Sequence, residues 1–312
     1  MAVHHSVLDL IGNTPLVEVS QLSPTPGVRL LAKLEGQNPG GSVKDRIALA
    51  MIDAAEADGS LRPGGTILEP SSGNTGIGLA MVCRLRGYHL RIVLPENVSP
   101  ERRQLLEILG AEVIPSPGEE GSNGAVRMAE RLAKELPDVV MLYQYGNPAN
   151  ARAHYEGTGP EIWRDCPEVT HFVSGLGTSG TLMGVGRYLK EQNPAVKVWA
   201  VEPPSGEIVQ GLRSLDDGFV PPIFDPDVLD RKVIVRPRES IEWTRRLTDE
   251  AGIFAGISAG AAMAGAARVA REIDEGVIVT VLADGGWKYL TTGVWTDDLD
   301  EVVERAARIV YF

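Results

Sequence analysis

Thr66-Ile67-Leu68-Glu69-Pro70-Ser71-Ser72-Gly73-Asn74-Thr75-Gly76 runs directly into an apolar stretch over residues 77–85. The order is a short β-rich run, a Gly-rich turn, then an apolar segment too long for a strand, which predicts a helix ending near Gly87. The same grammar continues outward from this point. Residues 90–94 read as a strand and 100–109 as a helix opened by proline; 111–114, 122–136 and 139–142 continue the alternation. In the second half 169–173, 181–192 and 196–201 repeat it, and 277–282 reads as a closing strand. Strands alternating with helices predict parallel sheets covered on both faces. Ligands in such folds lie outside the carboxyl ends of the strands. The stretch 203–237, rich in Pro, Asp and Gly, interrupts the pattern as a long functional loop. A domain boundary is expected near residue 150, after Gly146-Asn147-Pro148.

Composition narrows the class. Of 312 residues 43% are hydrophobic, ordinary for a globular chain, and the net charge is −12 with Lys and Arg scattered rather than blocked. That argues against a nucleic-acid or anionic-membrane surface. Cys83 and Cys166 are isolated, so neither a disulfide framework nor a metal cluster is expected, and Cys83 reads as core. The five histidines fall in no ligand spacing, and no metal is expected. The first residues lack a basic start followed by an apolar stretch, and no run approaches the ~20 residues of a membrane span. The expectation is a cytoplasmic enzyme.

Four constellations carry candidate chemistry. In Asn38-Pro39-Gly40-Gly41-Ser42-Val43-Lys44-Asp45-Arg46, Ser42 and Asp45 have the spacing of a capping box opening a helix over 47–57. Lys44 then lies in the first turn, where a cation opposes the helix dipole, with Ala48, Met51 and Ala55 on its own face. A solvated helix lysine is the common reading; a desolvated one has the lowered pKa that a Schiff-base or general-base lysine requires. Ser71 to Gly76 offers hydroxyls and backbone N–H groups to a carboxylate or phosphate. Gly175-Leu176-Gly177-Thr178-Ser179-Gly180-Thr181 fits G-x-G-x-x-G, with Glu202 where a ribose-binding acid would sit. A nicotinamide-binding unit therefore competes with a cup for a terminal phosphate. Gly256-Ile257-Ser258 opens an Ala-rich helix, and from spacing alone Ser258 reads as an N-cap.

Taken in order, these segments resemble the cysteine synthases, or O-acetylserine sulfhydrylases, of the fold-type II pyridoxal phosphate (PLP) enzymes. The likeness begins at Ile11-Gly12-Asn13-Thr14-Pro15-Leu16, includes Gln144-Tyr145-Gly146-Asn147-Pro148-Ala149-Asn150, and runs to about Gly293. It implies two three-layer αβα domains with mainly parallel twisted sheets. Residues 1–11 and 36–150 would form a smaller mobile domain, 12–35 and 151–312 a larger one, with the cofactor in the cleft between. Lys44 would hold PLP as an internal aldimine and then act as general base on the substrate Cα. Asn74 would bond the ring hydroxyl, Gly177, Thr178, Ser179, Gly180 and Thr181 the phosphate, and Ser258 the ring nitrogen. A neutral hydroxyl there does not enforce a protonated pyridine, which favours prompt β-elimination. Ser71, Ser72, Thr75 and Gln144 would bind the substrate carboxylate. An α-aminoacrylate would then take up a sulfur nucleophile to give cysteine. Ser71 stands where many members have Thr, and Ala259 where many have a second Ser.

Tyr143-Gln144-Tyr145, Gly252 to Gly256 and Gly286-Trp287-Lys288-Tyr289-Leu290 look like the B-type branch. The segment 211–219 is similar to members that use O-phosphoserine, with Arg213 at the phosphate-meeting place; a loop arginine paired with Asp216 or Asp217 is the alternative. Such members take sulfur from sulfide, thiosulfate or a thiocarboxylated carrier protein. The likeness further implies a homodimer and, as a partner, a sulfur-carrier protein or a serine acetyltransferase whose C-terminal peptide enters the cleft. A nicotinamide oxidoreductase and a related PLP lyase such as cystathionine β-synthase are the competing readings.

Overall fold

The computed structural model describes residues 3–71, 73–98 and 100–306. The chain opens with β1 (Leu16–Glu18) and β2 (Val28–Leu34), then α1 (Lys44–Ala57). A run of alternating elements follows: β3 (Thr66–Pro70), α2 (Asn74–Arg86), β4 (His89–Pro95), α3 (Pro100–Ile108), β5 (Glu112–Ser116), α4 (Gly121–Glu135) and β6 (Val139–Met141). These strands form a parallel sheet in the order β5-β4-β3-β6. After α5 (Pro148–Ala153) and α6 (Gly159–Asp165) come β7 (His171–Gly175), α7 (Gly180–Gln192), β8 (Lys197–Glu202), β9 (Arg231–Ile234), α8 (Pro237–Ala251), α9 (Ile257–Arg271), β10 (Gly276–Leu282) and α10 (Leu299–Ala306). The second sheet runs β1-β2-β10-β7-β8-β9, parallel except for the antiparallel β1–β2 pair at its edge.

Both sheets bury both faces, as the alternation predicts. In β3, Ile67 packs with Ile47, Met51, Leu79 and Val82 of α1 and α2, while its neighbour Leu68 turns to Ala125 and Ala129 of α4. In the larger sheet Leu30, Val173 and Ile278 face the layer of α8 and α9; Leu31, Phe172 and Val279 face α6 and α7. The period of two along each strand thus feeds two helical layers at once, which is why these strands read as near-continuous apolar runs. Each fully buried aliphatic side chain contributes about 1.5–3 kcal/mol. Cys83 and Cys166 are both buried and free, with burial pushing the thiols up to about 12 and about 11. Among the described residues no helix is long and apolar enough to cross a membrane.

Three differences from the sequence reading have physical causes. The stretch 203–237 is not loop throughout: Arg231–Ile234 adds a parallel edge strand to β8, with only Val233 buried, too little alternation to be seen. The strand Val28–Leu34 went unread because Lys33 breaks its apolar run; the lysine is fully buried and ion-paired to Glu161 at 2.7 Å. The capping box does not form, because the Asp45 carboxylate turns back to accept from Gly40 N instead of Ser42 N. Ser42 Oγ accepts from Lys44 N at 3.2 Å.

Candidate active site

Local bonds set Lys44 at the mouth of both sheets. Val43 N donates to Ala283 O at 2.8 Å, and Ser42 bridges to Asp284, so α1 starts against the carboxyl end of β10. Ala48 and Met51 on the lysine's own face are fully buried, and Gly78 admits α2 so closely that an added Cβ would meet Lys44 O at 3.2 Å. Lys44 itself is partly accessible and borders a cleft, while its chain neighbours Val43 and Asp45 are buried. Burial pulls its amine down to about 8, and the Asp284 carboxylate partly offsets the fall. Lys44 thus differs from a fully solvated helix lysine: its helix face is buried and the residue borders a cleft.

On one side the cleft leads to the turn after β7. Lys44, Gly177, Thr178, Ser179, Gly180, Thr181 and Ser258 line one cavity. Gly177 is required by close approach, since a Cβ would lie 2.8 Å from Gly211 O. Ser179 takes a left-handed φ of 69°, and its buried Oγ has no partner among the described residues. Asn150 Nδ2 donates to Thr178 Oγ1 at 3.0 Å, which leaves the threonine's O–H to donate elsewhere. Thr181 Oγ1 meets His154 Nε2 at 3.2 Å; His154 lies in a one-turn π-bulge, fully buried and held neutral by that burial and by Arg46. The N-cap of α9 is Gly256, so Ser258 is not the cap that its spacing suggested and its hydroxyl borders the cleft instead.

The other side is the turn after β3. Ser71, Asn74, Thr75, Gln144 and Arg213 line the same opening as Lys44. Ser71 Oγ accepts from Gly73 N and Gly76 N, Thr75 donates to Gln144 Oε1 at 2.7 Å, and Gln144 N donates to Glu69 Oε1. Burial pushes Glu69 up to about 7 against the two amide donors that favour its ionised form. Ser72 lies outside the described residues. Arg213 reaches the site because its N–H donates to Leu176 O at 2.7 Å, docking the 203–237 loop on the turn after β7. Its guanidinium lies over the rings of Phe219 and Tyr145 at 4.5 and 5.1 Å. Of the two aspartates considered as its partners, Asp217 accepts from Ser205 and Gly206, and Asp216 lies 3.8 Å from Lys232.

The nicotinamide reading fails at Glu202. That carboxylate is fully buried, ion-paired to Lys232 at 2.6 Å and bonded to Leu215 N, so it is not open to a ribose. A family model for pyridoxal-phosphate dependent enzymes matches residues 7–284. The chain belongs to this family. Cysteine synthase B of Pseudomonas aeruginosa is 45% identical over 291 residues, covering 93% of this chain and 97% of that protein, which marks the B-type branch. Among solved structures, O-ureido-L-serine synthase superposes with a TM-score of 0.89 at 40% identity, covering 94% of this chain and 96% of its own. Cysteine synthase of Entamoeba histolytica does so with 0.89 at 34%, covering 98% and 96%.

As a member of this PLP-dependent family, the chain offers a site that fits the cofactor. The turn after β7 ends in a buried hydroxyl with no partner among the described residues and a helix N-terminus, the donor set a terminal phosphate needs. The amine of Lys44 borders the same cavity. Sequence reasoning gave no role to His154, Glu69, Asp284, Lys288 or Tyr289, all of which brace these turns. The only available signal was the Trp287-Lys288-Tyr289 segment, where a lysine stands among aromatic and apolar residues.

Proposed function

We propose that this enzyme makes L-cysteine by β-replacement, exchanging the oxygen leaving group of an activated serine for a sulfur donor. The observation that carries the reading is the cleft itself, with Lys44 standing between the turn after β7 and the turn after β3. When bound, PLP draws electrons from the substrate α-carbon. Gly177 to Thr181 would hold its phosphate, Asn74 its ring oxygen and Ser258 its ring nitrogen. Lys44 Nζ takes the Cα proton, a task for which an amine pulled down to about 8 is suited near neutral pH. Thr75 spends its hydroxyl proton on Gln144 Oε1, which leaves the Gln144 amide N–H groups and the Ser71 O–H as donors to the substrate carboxylate. Residues 1–11 and 36–150 would move as a unit over the cleft.

We assign O-phosphoserine as the substrate. Arg213 borders the cleft with its guanidinium plane braced by two aromatic rings, and a braced fork suits a phosphate dianion far better than a neutral acetyl ester. Sulfide, thiosulfate or a carrier-protein thiocarboxylate would supply the sulfur. Comparing kcat/KM for O-phosphoserine and O-acetylserine tests the assignment. Arg213→Ala is expected to lower the first about 10- to 100-fold, the worth of one to two charged hydrogen bonds, and to leave the second nearly unchanged. An equal fall in both sinks the substrate assignment.

A further inference from the structure

Lys288 is a buried charge that the reaction described above does not use. It is 2% exposed within the segment Gly286–Thr292 and donates to Asn74 Oδ1 at 2.6 Å and to Gly41 O at 3.0 Å. Burying an ammonium against two neutral acceptors is costly, and burial pulls this one down to about 8 despite Asp284 and Asp45 nearby. Asn74, the first residue of α2, is gripped from its other end as well. Its Nδ2 donates to Asp284 Oδ2 at 2.8 Å, and Tyr289 OH donates to that same oxygen at 2.9 Å.

The donor and acceptor inventory leaves the amide one orientation. An ammonium only donates and a carboxylate only accepts, so flipping Asn74 would set N–H against N–H and oxygen against oxygen. With Oδ1 spent on Lys288 and one N–H on Asp284, a single N–H remains for the cleft that Asn74 borders. We propose that Lys288 is a positioning residue that locks Asn74 as a pure donor, with Asp284 and Tyr289 as the counter-clamp, so that the cofactor's ring oxygen is bound as its anion. The inference rests on the PLP reading and on Asn74 as the contact to that oxygen.

The test is the visible spectrum of folded holoenzyme at neutral pH, with circular dichroism confirming the fold. Loss of the lock moves absorbance from the long-wavelength band of the ionised ring oxygen to the short-wavelength band of the neutral one. Lys288→Met is expected to lower the ratio of the two bands at least ~2-fold. Asn74→Ala is expected to do the same, and the double variant to add little, as coupled residues do. Lys288→Gln keeps a donor for Gly41 O and is neutral; it guards against misfolding and should shift the ratio in the same direction. Folded variants that keep the wild-type ratio, or single effects that simply add, overturn the proposal. A wild-type protein with no long-wavelength band at all would instead sink the PLP reading, before any variant is compared.

Discussion

The turns after β3 and β7 share one grammar, strand then Gly and hydroxyl residues then helix, yet they do opposite things with their polar groups. After β3, Ser71 Oγ accepts two backbone N–H groups, Thr75 is bonded to Gln144, and Asn74 is clamped by Lys288 and Asp284. After β7, Ser179 Oγ is buried with no partner among the described residues, and Thr178 Oγ1 accepts from Asn150 Nδ2, which leaves its O–H to donate. One turn is a braced wall that keeps a few donors in fixed directions. The other is a cup that keeps a buried hydroxyl no described residue satisfies. Hydroxyl density alone does not separate the two; among the described residues, the buried and unpartnered hydroxyl of Ser179 does.

The contrast can be broken most severely at Gly180. A Cβ there would land on Asn150 Oδ1, and Asn150 is buried and holds both Gln144 O and Thr178 Oγ1. Gly180→Ala is expected to destabilise the protein by about 1–3 kcal/mol and to abolish cofactor retention through gel filtration. A holoenzyme of wild-type stability would show that the cup is softer than its packing implies.

A finer test sets one serine against the other. Ser71→Ala strands two backbone N–H groups and should cost about 1–3 kcal/mol in denaturant unfolding even without cofactor. Ser179→Ala removes a hydroxyl with no partner, so unfolding without cofactor should hardly change. Cofactor affinity should then fall about 10- to 100-fold, the worth of one charge-assisted hydrogen bond. Equal losses of stability in the two variants would erase the distinction between wall and cup.

The layers of the fold were legible because the strands bury both faces and so stand out as apolar runs between Gly-rich turns. Val28–Leu34 and Arg231–Ile234 were not, since the buried Lys33 is satisfied by Thr14 O and by Glu161, both distant in sequence, and Arg231–Ile234 is an edge strand with a single buried residue. At the site, the apolar helix face of Lys44 and the strand–turn–helix order around Gly177–Thr181 could be read from near neighbours, but not what either would bind. Ser258 and Glu202 could not. The first depends on Gly256 being the cap, the second on Lys232 reaching the carboxylate from another strand. Likewise, nothing local in Trp287-Lys288-Tyr289 says that it meets Asn74, more than two hundred residues away.

The role proposed for Lys44 can be measured directly. Purified protein should be yellow; borohydride should bleach it and leave the cofactor covalently attached to the peptide that carries Lys44, as read by peptide mass spectrometry. Lys44→Ala should lose that attachment while keeping its fold. A colourless protein, or a cofactor reduced onto any other lysine, Lys288 included, would contradict the assignment.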